Sequence, residues 1–343
     1  MKVSIIGVTG YSGLELLRLL NNHPAVEIVS IHSHSQNGEA IDRRFPHLKQ
    51  LIKLPLEEVN PEKIMAQADL VFFAAPSGVA KEQALPFIEK QFPVIDLSGD
   101  YRLKNPAHYE KWYGKTSAPI SALHLATYGL ADFDLPKDIK LIANPGCYAT
   151  AAILSVAPLV RQKLIEKDSI IFDGKSGLSG AGKKLSEAAH YTEVNDNMSV
   201  YKLNQHQHIP EIIQQLQQWD KEIPAIQFST ALIPVTRGIL MTTYCKAKTG
   251  VTSMDICEAF EAEYGSKPFI RLQEDQQFPC IKQVVGSNYC DIGTAYNKAT
   301  QTITVVSVID NLVKGAAGQA IQNLNLLMNL PETTGLELVP VYP

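Results

Sequence analysis

Lys2-Val3-Ser4-Ile5-Ile6-Gly7-Val8-Thr9-Gly10-Tyr11-Ser12-Gly13 is the stretch on which the fold turns. Its Val and Ile content gives a buried strand over 2–7. Residues 14–20, Leu-Glu-Leu-Leu-Arg-Leu-Leu, give a helix that ends near Asn21-Asn22-His23-Pro24. Between them lies a glycine-rich turn. Such a turn presents backbone N–H groups and the positive end of a helix to a pyrophosphate. The spacing is GxxGxxG rather than GxGxxG, so the flanking strand and helix carry the reading. On that reading Gly7, Thr9, Gly10, Tyr11, Ser12 and Gly13 contact a dinucleotide; the alternative is a glycine turn with no ligand.

A second strand covers 26–31. At its end an NAD enzyme usually carries Asp or Glu for the ribose 2′-hydroxyl. This chain has His32-Ser33-His34-Ser35-Gln36-Asn37 instead, with Arg43 and Arg44 further on. Hydroxyls (Ser33, Ser35) and cations without a carboxylate suit a 2′-phosphate, which favours NADP; ordinary solvated loop residues are the alternative. Residues 68–75 form another buried strand, running into Pro76-Ser77-Gly78, a turn at a strand's carboxyl end where ligands gather. Residues 94–98 repeat the theme, followed by Gly99-Asp100-Tyr101-Arg102. Repeating strand–helix units imply a parallel, doubly wound α/β sheet. Residues 103–135 read as loop-rich, and 140–143 as the last strand.

That strand feeds Asn144-Pro145-Gly146-Cys147-Tyr148. Asn-Pro-Gly is turn chemistry, and the Ala, Leu, Ile and Val content through Val160 reads as a buried helix. Cys147 then stands at a helix start, where N–H groups lack intrahelical partners and the dipole's positive end favours thiolate over thiol. The alternative is an inert, buried cysteine.

Past Cys147 the composition changes. Residues 169–173 read as a strand entering 174–184, whose four glycines and three lysines suggest a flexible cationic loop for phosphate, or else a plain linker. His206-Gln207-His208-Ile209-Pro210-Glu211 follows. Pro210 fits the first position of a helix through about Trp219, with His208 just before it and Glu211 able to orient it. His206-x-His208 also fits a metal pair on one strand face, but no third ligand stands at matching spacing. Strands at 226–233, 238–247 and 302–309, with a helix near 254–264, make an antiparallel or mixed sheet. Arg237 lies at a strand boundary, and Asp310-Asn311 leads into a last helix to about Met328.

The chain has 343 residues, enough for two domains, with 45% hydrophobic and 19% charged residues and a formal net charge of −4. That balance points away from nucleic acid and from a membrane surface. No apolar run reaches spanning length, no secretory signal opens the chain, and five scattered cysteines lack CxxC spacing. A cytoplasmic enzyme with reduced thiols is expected. A nucleotide-binding half and a helix-capping cysteine together define a reaction class: thiolate attack on an activated acyl carbon, then hydride reduction of the thioester. His208 is the best-placed acid/base, a non-catalytic hydrogen-bonded histidine being the alternative.

The motifs at 7–13, Asn144-Pro145-Gly146-Cys147-Tyr148, 176–182, His206-Gln207-His208-Ile209-Pro210-Glu211 and Asp310-Asn311-Leu312-Val313-Lys314-Gly315-Ala316 resemble the N-acetyl-gamma-glutamyl-phosphate reductase family, relatives of aspartate-semialdehyde dehydrogenase. They lie in the family's order and span nearly the whole chain. The resemblance implies NADPH-dependent reduction of N-acetyl-L-glutamyl 5-phosphate to the 5-semialdehyde plus phosphate, in arginine biosynthesis. It makes Cys147 the nucleophile and His208 its partner, with His206 the lesser candidate. Cofactor contacts would include Gly10, Gly13, the 176–182 loop (Ser179, Gly180, Gly182) and Asn311, and the substrate would meet Arg102, Asn144, His206 and Arg237. For each arginine a structural ion pair is the competing role. The family's fold implies a Rossmann-type domain over 1–146 and 315–343, and an α+β catalytic domain over 147–314 that self-associates through its sheet. Ser98-Gly99-Asp100-Tyr101 departs from the family's Ser-Ala-Asp-Phe. Two other readings stand beside this one: the same chemistry on another acyl phosphate, and a nucleotide-binding scaffold without turnover.

Overall fold

A computed structural model describes residues 1–33, 38–136 and 138–342. Ser35, expected at the 2′-phosphate, lies outside the described residues, as do His34, Gln36 and Asn37. The chain forms two compact units, Met1–Pro145 with Ala317–Leu336, and Gly146–Ala316 with Glu337–Pro343. The closing residues therefore depart from the expected boundary: the N–H of Val341 donates to the carbonyl of Val285 at 2.8 Å, within the second unit.

The first unit holds a seven-stranded sheet in the order Leu56–Glu57, Glu27–His32, Lys2–Ile6, Leu70–Phe73, Val94–Asp96, Leu141–Ala143, Ala126–Tyr128. Every pairing is parallel. Strands of such a sheet are covered on both faces and read as continuous apolar runs rather than alternating ones. Leu70 to Phe73 and Leu141 to Ala143 are buried throughout. The order reverses between Lys2–Ile6 and Leu70–Phe73, the switch point at which such folds open a crevice at the strands' carboxyl ends. This is the Rossmann arrangement. The expected loop at 103–135 is more ordered than its composition suggests. A helix spans Pro106–Tyr113 and a second Ile120–Leu125. Asn105 caps the first, its Oδ1 accepting from the N–H of Ala107, and Gly114 at φ 64° ends it.

Asp96 ends its strand fully buried. Asp100, also buried, accepts from the N–H groups of Gly78 and Lys81 and from the Tyr109 hydroxyl. Asp96 accepts from the N–H of Ser98, and burial, with Asp100 adding repulsion, pushes its carboxyl up to about 7. The native state then keeps a proton that the unfolded chain releases above about pH 4, so this group's penalty grows as pH rises through that window and is complete above about 7. Asp96→Asn is expected to raise Tm more at pH 8 than at pH 5, roughly the two sides of that window. A melting series showing a larger gain at the acid end would contradict the assignment.

The second unit is built on the helix Cys147–Arg161, buried from Tyr148 to Val160. Pro158 cannot donate to the carbonyl four residues back. That carbonyl, of Leu154, accepts the Tyr264 hydroxyl at 2.8 Å instead. The helix packs on a mixed seven-stranded sheet ordered Ile270–Leu272, Cys290–Asn297, Thr302–Ile309, Ile239–Lys246, Ile171–Ser176, Gln227–Leu232, Ser199–Tyr201. The Cys290–Asn297 strand was not foreseen; it pairs residue for residue with Thr302–Ile309.

Candidate active site

Gly146 caps the Cys147–Arg161 helix in extended conformation (φ −75°, ψ 153°) and offers no side-chain cap. Cys147 is the first helical residue, half-buried, at the end of the chain's positive helix field. Two groups fix this start. The Gly146 carbonyl accepts from Thr150 N–H at 2.8 Å, and the Gly146 N–H donates to Glu211 Oε1 at 2.8 Å. Glu211 is fully buried in the first turn of the helix Ile209–Trp219, so one carboxylate bridges the starts of two packed helices. Glu211, the residue expected to orient His208, holds the turn before Cys147 through this hydrogen bond. The sequence signal was a Glu in a helix's first turn, which does not reveal which turn it reaches.

His208 caps that second helix at φ −82°, with Pro210 second rather than first in it. His206 and His208 lie in the turn ahead of the helix, not on a strand, with ring centroids 4.6 Å apart. Tyr148 packs edge-on to both, at 5.2 Å from His206 and 6.4 Å from His208. Burial, with His208 and Lys202 adding to it and Glu211 opposing, pushes His206 down to about 2. A neutral His206 accepts the His208 N–H on its Nδ1 at 3.2 Å. Among the described residues no three His, Cys, Asp or Glu side chains are grouped to hold a metal ion.

The strand expected to end at 173 runs to Ser176, so Lys175 lies within it, paired with Asp173. The glycine loop that follows is tied down rather than flexible. Gly177, Leu178 and Ser179 donate their N–H groups to the carbonyls of Gly238, Val235 and Thr236, and Leu178–Ala181 is a 3-10 turn that contains Gly180 and is capped by Gly182. Asn311 Nδ2 donates to Ser179 Oγ at 2.9 Å, and Asn311 Oδ1 accepts the Gly238 N–H at 2.7 Å. Arg237 Nη1 pairs with buried Asp310 at 3.3 Å.

In the first unit, Gly7 sits at φ +86°, and a Cβ there would meet Ala74 and Ala75 backbone at 2.7–2.8 Å. Only glycine fits. Gly10 caps the helix Tyr11–Leu20 with no side-chain cap and no acidic residue in the first turn. Thr9 and Ser12 flank this turn, and Tyr11 is exposed. The arrangement fits a dinucleotide's diphosphate: bare backbone, a helix N-terminus and no competing carboxylate. Pro76 lies at the end of the adjacent strand, across the switch point. Ser33 Oγ, nearly buried, is 3.4 Å from Thr9 Oγ1. Buried His32 is engaged with Glu58 O and Ser30 Oγ, which removes it from the cations available to a 2′-phosphate. Arg102 Nε donates to Asn144 O at 2.7 Å and its Nη2 to Leu97 O at 2.9 Å, bracing the turn that leads into Cys147. Asn144 is buried, its Oδ1 accepting from Asn323 Nδ2 at 3.1 Å.

A Rossmann unit followed by a mixed-sheet unit with a helix-capping cysteine is the plan of the semialdehyde dehydrogenases. Residues 2–167 match the family model "Semialdehyde dehydrogenase, NAD binding domain", and 147–311 match "Semialdehyde dehydrogenase, dimerisation domain". Aspartate semialdehyde dehydrogenase II from Vibrio cholerae, complexed with ASA, shares the fold at a TM-score of 0.72 and 16% identity, over 96% of this chain and 98% of that one. The Candida albicans enzyme with NADP does so at 0.68 and 19%, over 95% and 98%. N-acetyl-gamma-glutamyl-phosphate reductases of Listeria monocytogenes and Streptococcus thermophilus are 57% and 54% identical over 343 residues, the full length of each chain. The chain belongs to the N-acetyl-gamma-glutamyl-phosphate reductase family.

Proposed function

We propose that this chain reduces N-acetyl-L-glutamyl 5-phosphate to N-acetyl-L-glutamate 5-semialdehyde, releasing phosphate, reversibly and with NADPH, as a step of arginine biosynthesis. The observation that carries this is Cys147 at a bare helix N-terminus whose preceding glycine is pinned by buried Glu211. The Cys147 sulfur attacks the acyl carbon, the carbon–oxygen bond to phosphate breaks, and a thioester forms. His208 takes the thiol proton and returns it to sulfur as the aldehyde is released. NADPH, when bound, supplies the hydride that reduces the thioester.

The 7–13 turn, Ser33, Ser35 and Pro76 would hold the cofactor's phosphates and ribose, and the family resemblance assigns Ser179, Gly180, Gly182 and Asn311 to the cofactor as well. Arg102, Asn144, His206 and Arg237 are assigned to the substrate side. Arg237 is the more exposed of the two arginines and on that ground the better suited to an anion, with Asp310 holding its guanidinium in place at 3.3 Å. Neutral His206 contributes packing and a hydrogen-bond acceptor rather than charge. Self-association through the second unit's sheet and a cytoplasmic location complete the reading. It is supported by the match of 147–311 to a dimerisation domain and by exposed Ile171 and Tyr244, paired neighbours on that sheet. Among the described residues no helix is long and apolar enough to cross a membrane.

The test is NADPH formation from N-acetyl-glutamate semialdehyde, phosphate and NADP⁺, run beside aspartate semialdehyde. Phosphate-dependent turnover of the acetylated substrate alone is expected. Turnover of aspartate semialdehyde instead would move the chain to the sister activity.

A further inference from the structure

Asp310 has no part in the reaction as written, yet it is fully buried and densely engaged. Its Oδ1 accepts the N–H groups of Leu312 at 2.8 Å and Val313 at 3.1 Å. Its Oδ2 accepts the Gly286 N–H at 2.8 Å and the Arg237 guanidinium at 3.3 Å. Its own carbonyl closes a wide turn by accepting the Gly315 N–H at 3.0 Å. Residues Val313–Ala317 are thereby wound as π-helix, a rare form that occurs mostly as single turns and often at functional positions. Next door, Asn311 ties the same segment to Gly238 and Ser179.

The turn delivers Gly315 to the nucleophile. A Cβ on Gly315 would stand 2.8 Å from Cys147 Cβ and 3.1 Å from its Cα. Those atoms belong to the helix backbone and its first branch point, so they cannot swing aside as a side-chain tip would. The ordinary φ of Gly315 makes contact, not backbone conformation, the reason for glycine.

We propose that Asp310 is a positioning residue for Cys147. It fixes the Val313–Ala317 turn, and the bare face of Gly315 then sets where the Cys147 side chain stands. Neither residue enters the reaction as written. The inference rests on Cys147 being the nucleophile.

Two variants test it. Asp310→Asn keeps the shape but removes an acceptor from a site with four donors. Gly315→Ala leaves Asp310 intact and drives a methyl into Cys147. Both are expected to lower kcat at least about tenfold with NADPH affinity within about twofold of native; Gly315→Ala, which leaves the Asp310–Arg237 pair intact, also keeps KM within about twofold. Both are also expected to shift the pH profile of Cys147 alkylation by iodoacetamide, followed without substrate. An unreactive Cys147 in the native chain would sink the nucleophile reading itself. A reactive native Cys147 whose profile and kcat persist in either folded variant would overturn the positioning role alone. So would a lowered Tm with native kcat and native alkylation, which marks a purely structural residue. If one variant fails to fold, the other decides; if neither folds, Asp310 and Gly315 serve folding and the proposal fails.

Discussion

Cys147→Ser will reduce turnover by at least ~10³-fold while leaving NADPH affinity within about twofold of native. The change removes one sulfur atom and keeps the shape of the site. A serine hydroxyl stays protonated at neutral pH, where a thiol at a helix N-terminus supplies thiolate. The support around it is retained: the Gly146 N–H still meets Glu211, and the Thr150 N–H still meets the Gly146 carbonyl. Because the glycine turn belongs to the other unit, cofactor titration is an independent readout. Steady-state rates of purified variant and native protein, with fluorescence titration of NADPH, check both halves. If cofactor binding disappears together with activity, Cys147 is holding the fold rather than doing chemistry. If activity survives, the nucleophile lies elsewhere.

The parallel unit was legible because its strands are buried on both faces. Runs such as Leu70-Val71-Phe72-Phe73 leave little else for the chain to do. The helix start at Cys147 was legible because Pro-Gly followed by an Ala-rich run marks such a start. The mixed sheet was harder. Cys290–Asn297 contains Asp, Gly and Asn and is a strand because Thr302–Ile309 and Ile270–Leu272 lie beside it. The helix Pro106–Tyr113 hid behind aromatic residues of modest helix propensity, although its Asn cap and terminal Gly were in plain view. The hydrogen-bonding of the site was beyond reach for a different reason. Glu211 meets Gly146 across 65 positions, and Asp310 meets Arg237 across 73. Local pattern shows that a buried charge needs a partner, not which one tertiary packing supplies. The same limit explains the glycine loop after Ser176. Its composition suggests mobility, while the N–H groups of Gly177, Leu178 and Ser179 are committed to residues 235–238.

The glycine turn of the first unit offers a prediction in which two substitutions of one kind separate folding from binding. At Gly13 an added Cβ would lie 2.4 Å from the Gly7 carbonyl oxygen and 2.6 Å from Val8 Cα. Both are backbone atoms of a turn already locked by the N–H groups of Gly7 and Val8 on the His32 carbonyl. Gly13→Ala must therefore push the helix away from the strand, and several kcal/mol of overpacking is the expected scale, about 1–3 or more. At Gly10 the nearest protein atoms to a new Cβ are 3.6 and 3.8 Å away, and its backbone (φ −78°, ψ 167°) suits any residue. The protein has room for alanine at Gly10. If a diphosphate rests on this helix start, that room belongs to the ligand. Gly10→Ala is accordingly expected to leave Tm unchanged while weakening NADPH at least about tenfold, and Gly13→Ala to lower both. Thermal melts in the absence of cofactor, paired with NADPH titrations, distinguish the two. Full NADPH affinity in a stable Gly10→Ala protein would mean that the cofactor's phosphates are held elsewhere, and that the glycines serve only the close packing of helix on strand.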